Sequence, residues 1–99
     1  MTHVLELVTF RLLPGASDAA FGEASALVDS LLPEMPGFVR RVTAVDGDGG
    51  WVDVVEWRSH DEAMAAAKAL PQDPRAASFL RMIDGASVDM KHLSIRTPR

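Results

Sequence analysis

At 99 residues the chain has the length of one domain, expected to span 1–99, and a chain this size buries roughly two-thirds of the surface it exposes when unfolded. Its residues are 47% apolar and 24% charged, a globular composition that excludes disorder, and no apolar run approaches the ~20 residues needed to span a bilayer. Ten basic against fourteen acidic residues give a net charge of −4, and cysteine is absent, which argues against nucleic-acid or anionic-membrane partners and excludes disulfides, zinc–thiolate sites and iron–sulfur clusters.

Residues 3–12, HVLELVTFRL, are rich in Val, Leu, Thr and Phe and stop at Pro14-Gly15. That pattern predicts a strand and a turn. No basic region precedes an apolar block there, so no secretory leader is expected and the cytoplasm is the expected compartment. One face of this strand carries Val4, Glu6, Val8, Phe10 and Leu12, the other Leu5, Leu7, Thr9 and Arg11. Both faces are largely apolar, as in a central strand covered on both sides. Ser17 then reads as an N-cap, and Phe21, Ala24, Val28, Leu31 and Met35 recur at helical spacing. The helix should run ~16–18 residues, with Pro33 distorting its last turn before Pro36-Gly37.

Two strand-like runs, 38–46 and 51–58, flank Gly47-Asp48-Gly49-Gly50, a strong hairpin signal. Ser59 with Glu62 three residues on matches a capping box, opening an Ala-rich helix that ends near Leu70-Pro71. Asp73-Pro74 restarts a shorter helix to about Ile83. Residues 86–96 read as the last strand. The order β-α-β-β-α-β is an α+β, ferredoxin-like arrangement, and right-handed crossovers give a four-stranded antiparallel sheet in the order 4-1-3-2. Both helices then lie on one face. The other face is apolar and bare, which predicts a homodimer through the sheet.

The segments ELVTFRLLPG, the PGF turn at Pro36-Gly37-Phe38, VVEWRSHDEA and SVDMKH together resemble the antibiotic biosynthesis monooxygenase-like group of dimeric α+β barrel proteins. The resemblance covers nearly the whole chain. It implies a homodimer whose two sheets close into a barrel, with a cavity between sheet and helices or within the barrel. It also implies one of several activities: cofactor-independent oxygenation of polycyclic aromatic precursors, haem degradation, or small isomerase and lactonase reactions. Haem-degrading members use an Asn on the first strand, a Trp on the second helix and a His after it. This chain has no Asn, no Trp between Asp61 and Leu70, and no His between Asp73 and Ile83, which disfavours haem degradation. Quinol-oxygenating members lean on Asn, Trp, Tyr and Arg, and of these only Trp57 and an unassigned Arg remain.

Three side chains are candidates for chemistry. His92, mid-strand, is read as a general base or proton shuttle, because an imidazole titrates near ~6.5, or else as a structural His bonded to a carboxylate. Glu6 neighbours the last strand in this topology and would orient His92 or form an ordinary ion pair with it. Asp53 lies among Trp51, Val55 and Trp57, where apolar surroundings can raise a carboxyl pKa, or else it is a solvated or Arg-paired Asp on a barrel rim. Arg40 and Arg41 point to opposite faces; one of them can counter a carboxylate or an anionic ligand, and the usual reading is a solvated side chain. His3, His60 and His92 lack metal-ligand spacing, so no metal is expected. Met35, Met64, Met82 and Met90 read as packing.

These expectations combine in a cofactor-free, monooxygenase-like enzyme. It would act on a small hydrophobic or aromatic molecule bound by Val8, Phe10, Phe21, Trp57, Phe79 and Met90, with His92, assisted by Glu6, as base. The alternative is a non-enzymatic homodimeric binding or stress-related domain.

Overall fold

Alternation of apolar residues builds the sheet, and turn chemistry closes it. The computed structural model describes residues 2–97. β1 is Val4–Phe10, β2 Phe38–Val45, β3 Trp51–Trp57 and β4 Asp89–Ser94. They form one antiparallel sheet in the order β2-β3-β1-β4, the expected order read from the other edge. Helices α1 (Asp18–Leu31), α2 (His60–Ala69) and α3 (Ala77–Met82) cover one face. There Val4, Phe10, Val55 and Trp57 of the sheet pack against Phe21, Val28, Leu31 and Phe79.

The caps are those the sequence specifies. Ser17 accepts from the Ala20 amide, Ser59 from the Glu62 amide and Asp73 from the Arg75 amide, each such cap stabilising by ~1 kcal/mol. Gly37 sits at φ +86 in the turn before β2, where a Cβ would lie 2.5 Å from Glu62 Cδ. Its carbonyl accepts from Arg58 N at 2.8 Å, so this turn ties the start of β2 to the end of β3. The 46–50 turn closes with Asp46 N donating to the Gly50 carbonyl, and Gly49 takes a positive φ.

Three expected elements are shorter than their patterns. α1 ends at Leu31, and Leu32–Glu34 is a 3-10 turn, because Pro33 brings no amide to an α-helical bond. The 73–83 helix divides into a 3-10 turn, Pro74–Ala76, and α3. β4 starts at Asp89, because Asp84 caps a 3-10 turn at Gly85–Ser87 by accepting from Ala86 N. Met64 and Met90, expected in the core, are exposed, whereas Met35 and Met82 pack against it.

The second sheet face carries Leu5, Leu7, Val42, Val52, Val54 and Leu93 with no helix over it. Val42 and Leu93 are among its exposed apolar side chains. One corner is charged: Glu56 accepts from Arg40 Nε at 3.2 Å and pairs with His3 Nδ1 at 2.6 Å. Among the described residues no helix is long and apolar enough to cross a membrane.

Candidate functional site

Strand register sets one row of side chains across the helix face. Arg41 pairs with Val55, Val55 with Glu6, and Glu6 with His92. Asp53 stands one step along β3, opposite Thr43 and Val8. Every strand therefore contributes an ionisable group to a face that the helices bury.

His92 and Glu6 meet, Nε2 to Oε2 at 2.9 Å, with only 15% and 12% of their side chains exposed. Burial pushes the Glu6 carboxyl above its ordinary pKa; the hydrogen bond and charge of His92 oppose this, and the nearby Asp53 carboxylate adds to it. The ring of His60, exposed in the first turn of α2, lies edge-on to His92 with centroids 5.6 Å apart.

Asp53 forms a two-pronged pair with Arg41: Nε donates to Oδ1 and Nη2 to Oδ2, both at 2.9 Å. Thr43 Oγ1 adds a donor at 3.2 Å. The Arg41 side chain is 3% exposed. Its Nη1 donates to Asp29 at 2.8 Å and to the Ser25 carbonyl at 3.1 Å, and the guanidinium stands 5.2 Å from the centre of the Phe79 ring. Burial disfavours this cation, but the bonds to Asp53 and Asp29 and their charges outweigh it and raise its pKa.

Between this row and the helices lie two neighbouring cavity compartments, of about 160 and 270 Å³. Glu6, Asp53, Leu70, Phe79, Leu80 and Met90 border both. Trp57 and Arg41 wall the smaller compartment, Val8 and Phe10 the larger. Trp57 is 1% exposed, and its indole N–H meets no acceptor among the described residues. Such an orphan donor costs ~1–3 kcal/mol.

Of the residues expected around a ligand, Val8, Phe10, Trp57, Phe79 and Met90 wall the cavity. Phe21 does not. It is fully buried, 4.8 Å from both Phe79 and Trp51 between ring centres, and lines neither compartment. Glu6 and Asp53 face the compartments, whereas His92 stands behind Glu6 and lines neither. Arg41, read as a solvated side chain or as the partner of a carboxylate, is the second of these: the buried cation of the site, paired with Asp53. A signal for it existed: reflecting the strands about the 46–50 turn sets Asp53 opposite Thr43 and diagonal to Arg41 on one face.

No family model and no curated protein matches the chain. Solved structures do. A variant of SnoaB, a cofactor-independent oxygenase from Streptomyces nogalater, aligns with TM-score 0.78 and 19% identity over 97% of this chain and 95% of its own. A protein assigned as an antibiotic biosynthesis monooxygenase from Bordetella bronchiseptica gives 0.80 and 16% over 98% and 100%. A dimeric ferredoxin-like protein of unknown function from Thermobifida fusca gives 0.73 and 12% over 95% and 92%. The chain has the ferredoxin-like fold of the antibiotic biosynthesis monooxygenase-like proteins. At these identities the likeness is one of fold.

Proposed function

We propose that the chain is a single-domain, cytoplasmic, homodimeric enzyme that oxygenates a small hydrophobic or aromatic molecule without a cofactor, the Glu6–His92 couple taking the proton. One observation carries this reading: a buried carboxylate at the junction of two largely apolar compartments, backed by an imidazole at 2.9 Å. Burial that raises the pKa of Glu6 makes it a stronger base. An electron-rich substrate C–H gives its proton to Glu6, with His92 orienting and relaying. The resulting carbanion passes its electrons to dioxygen, and the hydroperoxide so formed loses water to leave a ketone. The cavity supplies apolar enclosure and orientation. Supporting the dimer are the bare apolar sheet face and the dimeric state in the description of the Thermobifida fusca protein.

The second reading is a non-enzymatic binding domain. It is favoured by the pairing of Asp53 with Arg41 and of Glu6 with His92, which braces the sheet without chemistry. Oxygen uptake with an anthrone-type substrate separates the two. Glu6→Gln and His92→Ala should keep the dimer and lower uptake by ~10²-fold or more. Uptake absent from the wild type supports the binding domain, and uptake unchanged in Glu6→Gln removes Glu6 as the base.

A further inference from the structure

The charges around the cavity come in matched partners, and that bears on what can enter it. Arg41 is the one cation among the described residues that line either compartment. Four of its five N–H donors are taken, Nε and one of Nη2 by Asp53 and both of Nη1 by Asp29 and the Ser25 carbonyl, and its charge is matched by the Asp53 and Asp29 carboxylates. The other pair, Glu6 with His92, leaves no surplus positive charge on whichever partner the shared proton sits. Asp53 and Glu6 are the remaining charged groups facing the compartments, and both are acids.

We infer that the cavity selects uncharged ligands and rejects those bearing a carboxylate or phosphate, with Glu6 and the charge-paired Arg41 as the residues that set this. An entering anion loses its water and meets no free cation, only two carboxyls and apolar walls such as Val8, Phe10, Val28 and Phe79. Desolvating a charge without a partner is among the costliest steps in recognition. A phenol or ketone escapes that cost, and the Glu6 carboxyl in the cavity wall offers a phenol hydroxyl an acceptor. The inference rests on the cavity being the substrate site proposed above. It narrows the substrate to a neutral molecule that becomes anionic only when it surrenders its proton.

Calorimetric titration of the wild-type protein at pH 7 with three probes tests this: 2-naphthol, methyl 6-hydroxy-2-naphthoate and 6-hydroxy-2-naphthoate. The ester carries the bulk of the acid without its charge. The ester should bind at least ~100-fold more tightly than the acid, as expected for an unpaired desolvated charge. Glu6→Gln, with its melting temperature checked, should shrink the ester-to-acid ratio by about tenfold, since one like charge is gone. Equal binding of ester and acid, or tighter binding of the acid, overturns the inference while leaving the cavity as a ligand site. Failure of both neutral probes to bind overturns the cavity reading and the inference with it.

Discussion

Arg41→Met removes the cation from the most buried ion pair among the described residues and leaves Asp53 behind. The two side chains are 3% and 12% exposed and share two bonds of 2.9 Å. After the change Asp53 keeps one neutral donor, Thr43 Oγ1 at 3.2 Å. Breaking a buried pair from one side costs ~3–5 kcal/mol, because the surviving charge stays desolvated. The lost contact with the Phe79 ring adds ~0.5–2 kcal/mol. The Asp29 bond adds little, since that carboxylate is 61% exposed. Taking ~3 kcal/mol as the floor and ~4–8 °C per kcal/mol for a domain of this size, melting should fall by at least ~12–24 °C. Urea titration followed by circular dichroism measures the free energy directly. The double variant Arg41→Met/Asp53→Leu should recover to within ~1–2 kcal/mol of wild type, because apolar replacement of both partners removes the desolvated charge. A loss below ~1 kcal/mol in the single variant would refute the reasoning, for it would mean that Asp53 finds water or another partner.

Stability should fall as pH rises from about 4.5. The raised Glu6 pKa lets the native state hold more protons than the unfolded chain in that window; each tenfold separation of the two acidities is worth roughly 1.4 kcal/mol, and Glu6→Gln should remove this component. Urea titrations of both proteins from pH 4 to 7 check the sign, and parallel curves would contradict it. Gly37→Ala forces a φ of +86 on a side chain and drives its Cβ into Glu62, so melting should drop by about 5–15 °C; an unchanged melting curve would show that the turn relaxes freely. Light scattering at micromolar concentration should give about twice 10.7 kDa, and Val54→Glu on the bare face should give the monomer. A monomeric wild type would defeat the dimer.

Strand order followed from the sequence because alternation, a Gly-rich hairpin and two capped helices leave few connections open. The Glu6–His92 meeting was half legible: the topology makes β1 and β4 neighbours, but only the register puts residues 6 and 92 opposite each other. The burial of Arg41 was legible in the hairpin, because pairing is regular from Val45–Trp51 through Arg41–Val55 and the irregularity comes only beyond it, between Phe38 and Arg40; adjacent arginines read by themselves do not show which of the two turns inward. The start of β4 lies later than the strand pattern implies because the Asp84 cap at Gly85–Ser87 competes with strand pairing. Phe21 and Phe79 have the same apolar, helical signature, yet one is plug and the other wall. That difference depends on how α3 leans on α1, and no local pattern encodes it.

Two carboxylates a diagonal step apart on one buried face have been given partners of different kinds. Asp53 faces a guanidinium, which does not release its proton in the neutral range. Glu6 faces an imidazole, a side chain of the one type whose ordinary range spans neutrality. A sheet built only for stability gains nothing by burying either pair, since apolar residues of similar volume serve as well or better. The Arg41–Asp53 pair fixes a shape: it joins β2 to β3 and, through Asp29 and Ser25, to α1. The Glu6–His92 pair fixes a shape too, but it also leaves a carboxyl at the cavity junction with a neighbour that can take up or return a proton. In the proposed reaction this asymmetry favours proton transfer at Glu6 rather than at Asp53. On that proposal an acid-lined cavity is compatible with a reaction that makes an anion: the negative charge would appear on the substrate only as Glu6 gave up its own by accepting the proton.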